Sequence, residues 1–196
     1  MRQSRNPMDE YDAIAEWFAR ERSPIVGLPE IETLARALPS GARVLDAGCG
    51  TGFPILQYLL QKGFQLFAID SSERMVALFR ERFPHVPVEQ GSIQASALFA
   101  STFDAVIAWG VLFHLSPDEQ RAAIANVAPH LAPGGWFLFT SAKEPEETSG
   151  EMNGVTFRYR SLGSPEYRRA LDANGMELVD EHEDKWQNYV YVARQR

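Results

Sequence analysis

In Val44-Leu45-Asp46-Ala47-Gly48-Cys49-Gly50-Thr51-Gly52-Phe53-Pro54 an apolar run ends in an acid, alternating glycines follow, and the spacing predicts a helix beginning near Pro54. Glycine tolerates positive φ and lets a ligand approach the main chain without meeting a β-carbon. A loop entering a helix also presents unpaired N–H groups, so this strand–loop–helix unit suits a ligand with an anionic part. Asp46 offers an acceptor for a cationic or polar part of the same ligand.

Outward from this unit the chain alternates between the two structural periods. On the N-terminal side, residues 8–20 place Tyr11, Ile14, Ala15 and Phe18 at helical spacing, Pro24 and Gly27 break the helix, and Leu28–Leu38 carries a second apolar stripe. On the C-terminal side, Ile55, Leu56, Leu59 and Leu60 predict a helix closed by Gly63. Gln65–Asp70 is a second strand ending in an acid, with Ser71 or Ser72 available to cap the next helix. Val86–Gln90 and Phe103–Trp109 read as the third and fourth strands, the latter apolar enough to be buried on both faces. Ser116-Pro117-Asp118-Glu119 is a capping box for a helix carrying Ile124, Val127, Ala128 and Leu131 inward. Pro133-Gly134-Gly135 then turns into a fifth strand, Trp136–Ser141.

Alternating strands and helices call for parallel pairing with right-handed crossovers. The last two strands, Met176–Glu181 and Asn188–Ala193, have a connection too short for a crossover and predict an antiparallel hairpin at one edge. The expected fold is therefore a doubly wound α/β domain with a mostly parallel seven-stranded sheet. It divides into a helical cap (1–40), a ligand-binding core (42–141), a polar lid or extra strand (143–163), and a closing helix and hairpin (164–196).

Composition sets outer limits. A chain of 196 residues with 45% apolar content supports one well-buried domain. A net charge of −7 argues against a general nucleic-acid binder. The single cysteine, Cys49, excludes an internal disulfide and fits a reducing compartment. With no signal-like N-terminus and no apolar run of membrane-spanning length, the expectation is a cytoplasmic protein that is a monomer or homodimer. No His, Cys or Asp cluster has metal-ligand spacing, so no metal is expected.

In an open parallel sheet the ligand lies beyond the carboxyl ends of the strands. Asp46 with its glycines, Asp70, Gly91-Ser92-Ile93 and Trp109-Gly110 all fall there. Asp70 follows the glycines at the distance where a carboxylate takes both hydroxyls of a ribose. A dinucleotide fingerprint would need a third glycine where Phe53 stands, which favours a single nucleoside bearing an amino-acid tail.

The glycine stretch 44–52, the acid Asp70, Phe103-Asp104-Ala105-Val106 and Leu131-Ala132-Pro133-Gly134-Gly135 stand in the order found in class I S-adenosylmethionine-dependent methyltransferases. Over residues 42–141 the chain resembles that family, particularly its small-molecule branch. The resemblance implies S-adenosylmethionine as methyl donor and S-adenosylhomocysteine as product. It places Asp46, Gly48, Cys49, Gly50 and Gly52 at the methionine part, Asp70 at the ribose, and Ser71, Met75, Ser92, Ile93 and Trp109 around the ribose and adenine. Ser92 takes the position where relatives often carry an acid, so it offers the adenine only a hydroxyl. Trp109 replaces the first residue of the Asn-Pro-Pro-Tyr motif of nucleic-acid and protein N-methylating relatives and cannot accept from an amine; it either lines the cleft or packs in the core.

For the acceptor the candidates are Tyr11, Trp17, Phe113, His114, Arg158 and Tyr159. His114 titrates near neutrality when unperturbed and is read either as a packing residue or as a substrate contact and catalytic group. The leading expectation is methyl transfer to a small molecule. The alternatives are a nucleic-acid or protein methyltransferase of the same fold, with Arg158 and Arg160 as a short basic lid, and a non-catalytic cofactor-binding module.

Overall fold

A computed structural model describes residues 7–196, with side chains from Glu10 onward. The chain runs α1 (Pro7–Glu21), α2 (Leu28–Ala37), β1 (Arg43–Ala47), α3 (Ile55–Gln61), β2 (Gln65–Asp70), α4 (Glu73–Arg82), β3 (Val88–Gln90), β4 (Phe103–Ala108), α5 (Pro117–Val127), β5 (Leu131–Ser141), β6 (Glu146–Met152), β7 (Val155–Ser161), α6 (Ser164–Ala173), β8 (Met176–Glu183) and β9 (Tyr189–Gln195). Seven strands form one sheet in the order β3-β2-β1-β4-β5-β9-β8. The first five are parallel, and β9 and β8 reverse at the edge, as the short connection requires. The strand order turns back between β1 and β4, which puts the switch point at the glycine loop.

Apolar residues of alternate register cover both faces of the sheet. Leu45, Val106, Phe137 and Phe139 pack against Ile124 and Val127 of α5 and Tyr167 and Leu171 of α6. Val44, Ala68, Ile107 and Leu138 pack against Ile31 of α2, Leu56 and Leu59 of α3, and Phe79 of α4. Ser116 and Glu119 form the expected reciprocal capping box on α5.

Three local expectations are corrected. Leu131 does not continue α5: a short 3-10 turn over Ala128–His130 ends the helical path, and Leu131 already pairs with Phe103. The register then shifts between Phe103 and Ala105, so Pro133-Gly134-Gly135 is an irregularity inside a longer β5. Gly135 is needed there because a β-carbon would lie 2.8 Å from the Ala132 carbonyl oxygen. The β3–β4 crossing holds no α-helix, only a 3-10 turn over Leu98–Ala100, so the strand–helix alternation lapses once; β3 itself starts at Val88 rather than Val86.

The polar stretch after β5 is a two-stranded hairpin of its own, β6 paired with β7. Asn153 and Gly154, both at positive φ, make its two-residue turn. A buried polar network ties this hairpin to the sheet. Gln120 of α5 donates to the carbonyls of Leu115 (2.9 Å) and Arg160 (3.0 Å). Its Oε1 accepts the Tyr167 hydroxyl proton, so Ser141 Oγ must be the donor in its 2.6 Å contact with Tyr167. Truncating Gln120, which is fully buried, leaves these partners unsatisfied. Gln120→Ala is expected to lower the unfolding temperature by roughly 5–10 °C, corresponding to a loss of about 2–3 kcal/mol. Thermal unfolding by circular dichroism checks this, and a midpoint within 1 °C of the parent would contradict it.

Candidate active site

A cleft of about 590 Å³ opens at the carboxyl ends of β1, β2, β4 and β5. Its floor is the glycine loop. Gly48 has φ 76°, and a β-carbon there would lie 2.2 Å from Cγ2 of Val111, so only glycine lets the loop meet the segment after β4. Four of the loop's N–H groups are already engaged, which narrows the expected anion cradle. Those of Gly48 and Cys49 donate to the Ile69 carbonyl (2.7 and 3.0 Å), that of Gly50 to Asp70 Oδ2 (2.7 Å), and that of Gly52 to the Cys49 carbonyl (2.8 Å).

Two carboxylates, Asp46 and Asp70, stand beside the loop in the cleft lining. Asp46, at 5% exposure, is pushed up to about 7 by burial first and by the Asp70 charge second, with Arg22 opposing. Asp70 is also raised by burial, although the Gly50 and Ser72 N–H groups favour its charge. Ser72 N donates to Asp70 Oδ1 at 2.9 Å, so both carboxylate oxygens are held in place. Two neighbouring desolvated acids resist ionising together, and a positively charged ligand relieves that repulsion. Burial lowers the Arg22 guanidinium, and Tyr11 and Asp46 support its charge. Its guanidinium carbon stands 5.2 Å from the Phe18 ring centroid.

The upper wall is aromatic. The Tyr11 hydroxyl and His114 Nε2 are 2.9 Å apart, and the Tyr11 ring packs against Phe157 at 4.9 Å. Phe113 and Tyr159 flank the imidazole at 4.7 and 5.4 Å. Burial lowers His114 to about 4, with the Arg158 backbone offsetting a little, so the ring is neutral at physiological pH. Its Nδ1 makes no contact of hydrogen-bond geometry among the described residues. Desolvation raises the Tyr11 hydroxyl well above its ordinary range.

The cleft brings together Asp46, Gly48, Cys49, Gly50, Gly52, Asp70, Ser71, Met75 and Trp109 on one side, and Tyr11, Phe113, His114 and Tyr159 on the other. Trp109, at 6% exposure, both lines the cleft and packs in the core, its ring filling the space a Gly27 β-carbon would need. Four expected residues fall outside the lining. Ile93 turns into the core, and Ser92 opens a tight turn by accepting from Ala95 and Ser96. Trp17 lies off the face of α1 that carries Tyr11 and Phe18. Arg158 is exposed because strand alternation sends Phe157 and Tyr159 inward.

Sequence reasoning also missed residues that line the cleft, among them Arg22, Gln187 and Asn188. Arg22 extends the Tyr11–Phe18 face by one helical turn, a spacing visible in the sequence. The β8–β9 connection reaches the cleft because the reversed β9 begins where the parallel strands end, its Tyr189 paired with Ser141 at the end of β5. Among the described residues no group of three His, Cys, Asp or Glu side chains could hold a metal ion, and no helix is long and apolar enough to cross a membrane.

This fold and cleft define a nucleoside-cofactor-binding α/β domain, and comparison with known proteins identifies its class. Residues 44–135 match the family described as a methyltransferase domain. Over 143 residues the chain is 34% identical to a tRNA (carboxymethyluridine(34)-5-O)-methyltransferase of Arabidopsis thaliana, covering 71% of this chain and 33% of that protein. It is 31% identical over 130 residues to a dTDP-4-amino-2,3,4,6-tetradeoxy-D-glucose N,N-dimethyltransferase of Saccharopolyspora spinosa, covering 65% of this chain and 51% of that protein. The chain thus spans about a third to a half of the length of these relatives. In fold it superposes on a SAM-bound amino pentose methyltransferase from Micromonospora echinaspora with a TM-score of 0.73 at 22% identity, over 94% of this chain and 96% of the other. Over residues 44–135 the chain thus matches a methyltransferase domain.

The raised carboxyl of Asp46 gives a pH test with a defined sign. A ligand placing its ammonium or sulfonium near Asp46 binds the ionised carboxylate, so affinity falls as pH drops below about 7 and levels off above it. Calorimetric titration with S-adenosylhomocysteine between pH 5.5 and 8 should show affinity weakening by up to about tenfold per pH unit on the acid side. Affinity that is flat, or that strengthens on acidification, would contradict the assignment.

Proposed function

We propose that the chain transfers the methyl group of S-adenosylmethionine to a small-molecule acceptor whose nucleophilic atom carries a free lone pair at neutral pH. The carrying observation is that buried Asp46 and half-buried Asp70, beside the glycine loop, line one cleft together with the aromatic group of Tyr11, Phe113, His114 and Tyr159.

In this reading Asp70, held by Gly50 and Ser72, takes the ribose hydroxyls. Asp46 faces the ammonium or sulfonium, Arg22 faces the carboxylate, and Ser71, Met75 and Trp109 flank the nucleoside. The cofactor supplies a methyl already activated on a sulfonium. The protein's part is then to hold donor and acceptor in a near-attack arrangement and to keep water out, which removes several kcal/mol of barrier. Phe113, His114, Tyr159 and Tyr11 form the acceptor's side of the cleft. A neutral imidazole whose conjugate acid lies near 4 keeps its single N–H at physiological pH and is a weak base. His114 therefore orients Tyr11 and the acceptor, and a proton displaced from the acceptor goes to solvent.

Two features favour a small molecule over a polynucleotide: the chain's charge of −7, and the carboxylates Glu146 and Glu183 at the rim of the cleft. The likeness to a tRNA carboxymethyluridine methyltransferase supports a second reading, in which the acceptor is a carboxylate on RNA. That acceptor also needs no base. Binding of tRNA that weakens steeply with salt would favour it.

S-adenosylhomocysteine at about 100 times its Kd is expected to stabilise the fold by about 2.7 kcal/mol and raise the unfolding temperature by roughly 5–10 °C. Asp70→Ala should abolish the shift. No shift at millimolar ligand would sink the proposal, and a product-detection assay with labelled cofactor over amines, phenols, thiols and carboxylates then identifies the acceptor.

A further inference from the structure

We infer that Asp12 is a positioning residue for cofactor retention, latching α1 to the N-terminus of α4 beside the ribose acid. The inference rests on the cofactor assignment above. Asp12 Oδ1 accepts a hydrogen bond from the Ser72 hydroxyl and another from the Arg74 backbone N–H at 3.1 Å. Ser72 is the N-cap of α4, and its Oγ in turn accepts from Met75 N at 3.1 Å. A hydroxyl has one proton. By taking it, Asp12 leaves the oxygen's lone pairs turned toward the helix, so the carboxylate of one helix completes the cap of another.

The same serine holds the ribose acid. Ser72 N donates to Asp70 Oδ1, and the following helix brings Met75 to the cleft wall. The adjacent residue of α1, Tyr11, meets His114 Nε2 and packs on Phe157. Neighbouring residues thus fasten the helix to α4 on one hand and to the elements carrying His114 and Phe157 on the other. Arg74 and Glu16 add an ion pair between α1 and α4, but both side chains are more than half exposed, so that pair contributes little. Asp12 carries the fastening because its partners are a buried hydroxyl and a helix N–H that otherwise lacks an intrahelical acceptor. Opening α1 to release the nucleoside therefore uncaps α4 and loosens the loop that holds Asp70. Departure of the ligand and breakage of the latch are one event.

The test follows binding kinetics of S-adenosylhomocysteine to the full chain as parent, Asp12→Ala and Asp12→Asn, with far-ultraviolet circular dichroism confirming that each is folded. Asp12→Ala is expected to raise the dissociation rate about tenfold with the association rate within about twofold of the parent. Asp12→Asn retains an acceptor oxygen and should restore dissociation to within about threefold of the parent. A second readout covers the case in which the alanine variant folds poorly. S-adenosylhomocysteine should protect the parent and Asp12→Asn from trypsin at exposed Arg20, and protect Asp12→Ala much less. An alanine variant that releases the ligand within twofold of the parent overturns the inference, as does an asparagine variant as impaired as alanine. A parent that binds no S-adenosylhomocysteine overturns the cofactor assignment itself, and the inference with it.

Discussion

Two carboxylates at the ends of neighbouring parallel strands, buried Asp46 on β1 and half-buried Asp70 on β2, lie within reach of each other's charge. That arrangement is unfavourable in itself, since desolvation and like charge both oppose ionisation. Much of the surrounding structure makes it tolerable. The glycine loop turns four of its N–H groups back on Ile69, Cys49 and Asp70. Ser72 steadies the second carboxylate oxygen, and Arg22 supplies an opposing charge to Asp46. A loop that reads in sequence as an anion cradle has, in the folded chain, four of its N–H groups engaged and two carboxylates beside it.

The sheet was largely legible before any coordinates. The nearly uniform apolar run Phe103–Ala108 reads as a strand buried on both faces, and the short link before Tyr189 forces reversal at the edge. The failures are local and have physical causes. Leu131 lies where a helix-period reading extends naturally, but the 3-10 turn at Ala128–His130 resets the backbone before it. The β3–β4 link has no strong periodicity, and its path through left-handed Leu98, Phe99 and Ala100 leaves no trace in composition.

Within the cleft, residues borne on the strand ends and the first helical face were readable, because the fold places them by rule. Gly48, Asp70, Met75 and Tyr11 are of this kind. Residues that reach the cleft through tertiary placement were not: Gln187 and Asn188 arrive by way of the reversed strand. Ser92 and Ile93 erred in the other direction. Position along the chain put them near a strand end, but the turn after β3 directs Ile93 into the core. Asp12 shows the same limit, since its partners Ser72 and Arg74 lie sixty or more positions away.

A crystal structure of the protein soaked with S-adenosylhomocysteine tests the central claim most directly. The account predicts ribose hydroxyls on the Asp70 carboxylate, the amino-acid end of the ligand between Asp46 and Arg22, and α1 closed over it through Asp12 and Tyr11. Ligand density lying away from both carboxylates, or seated with its carboxylate against the glycine-loop N–H groups, would contradict it.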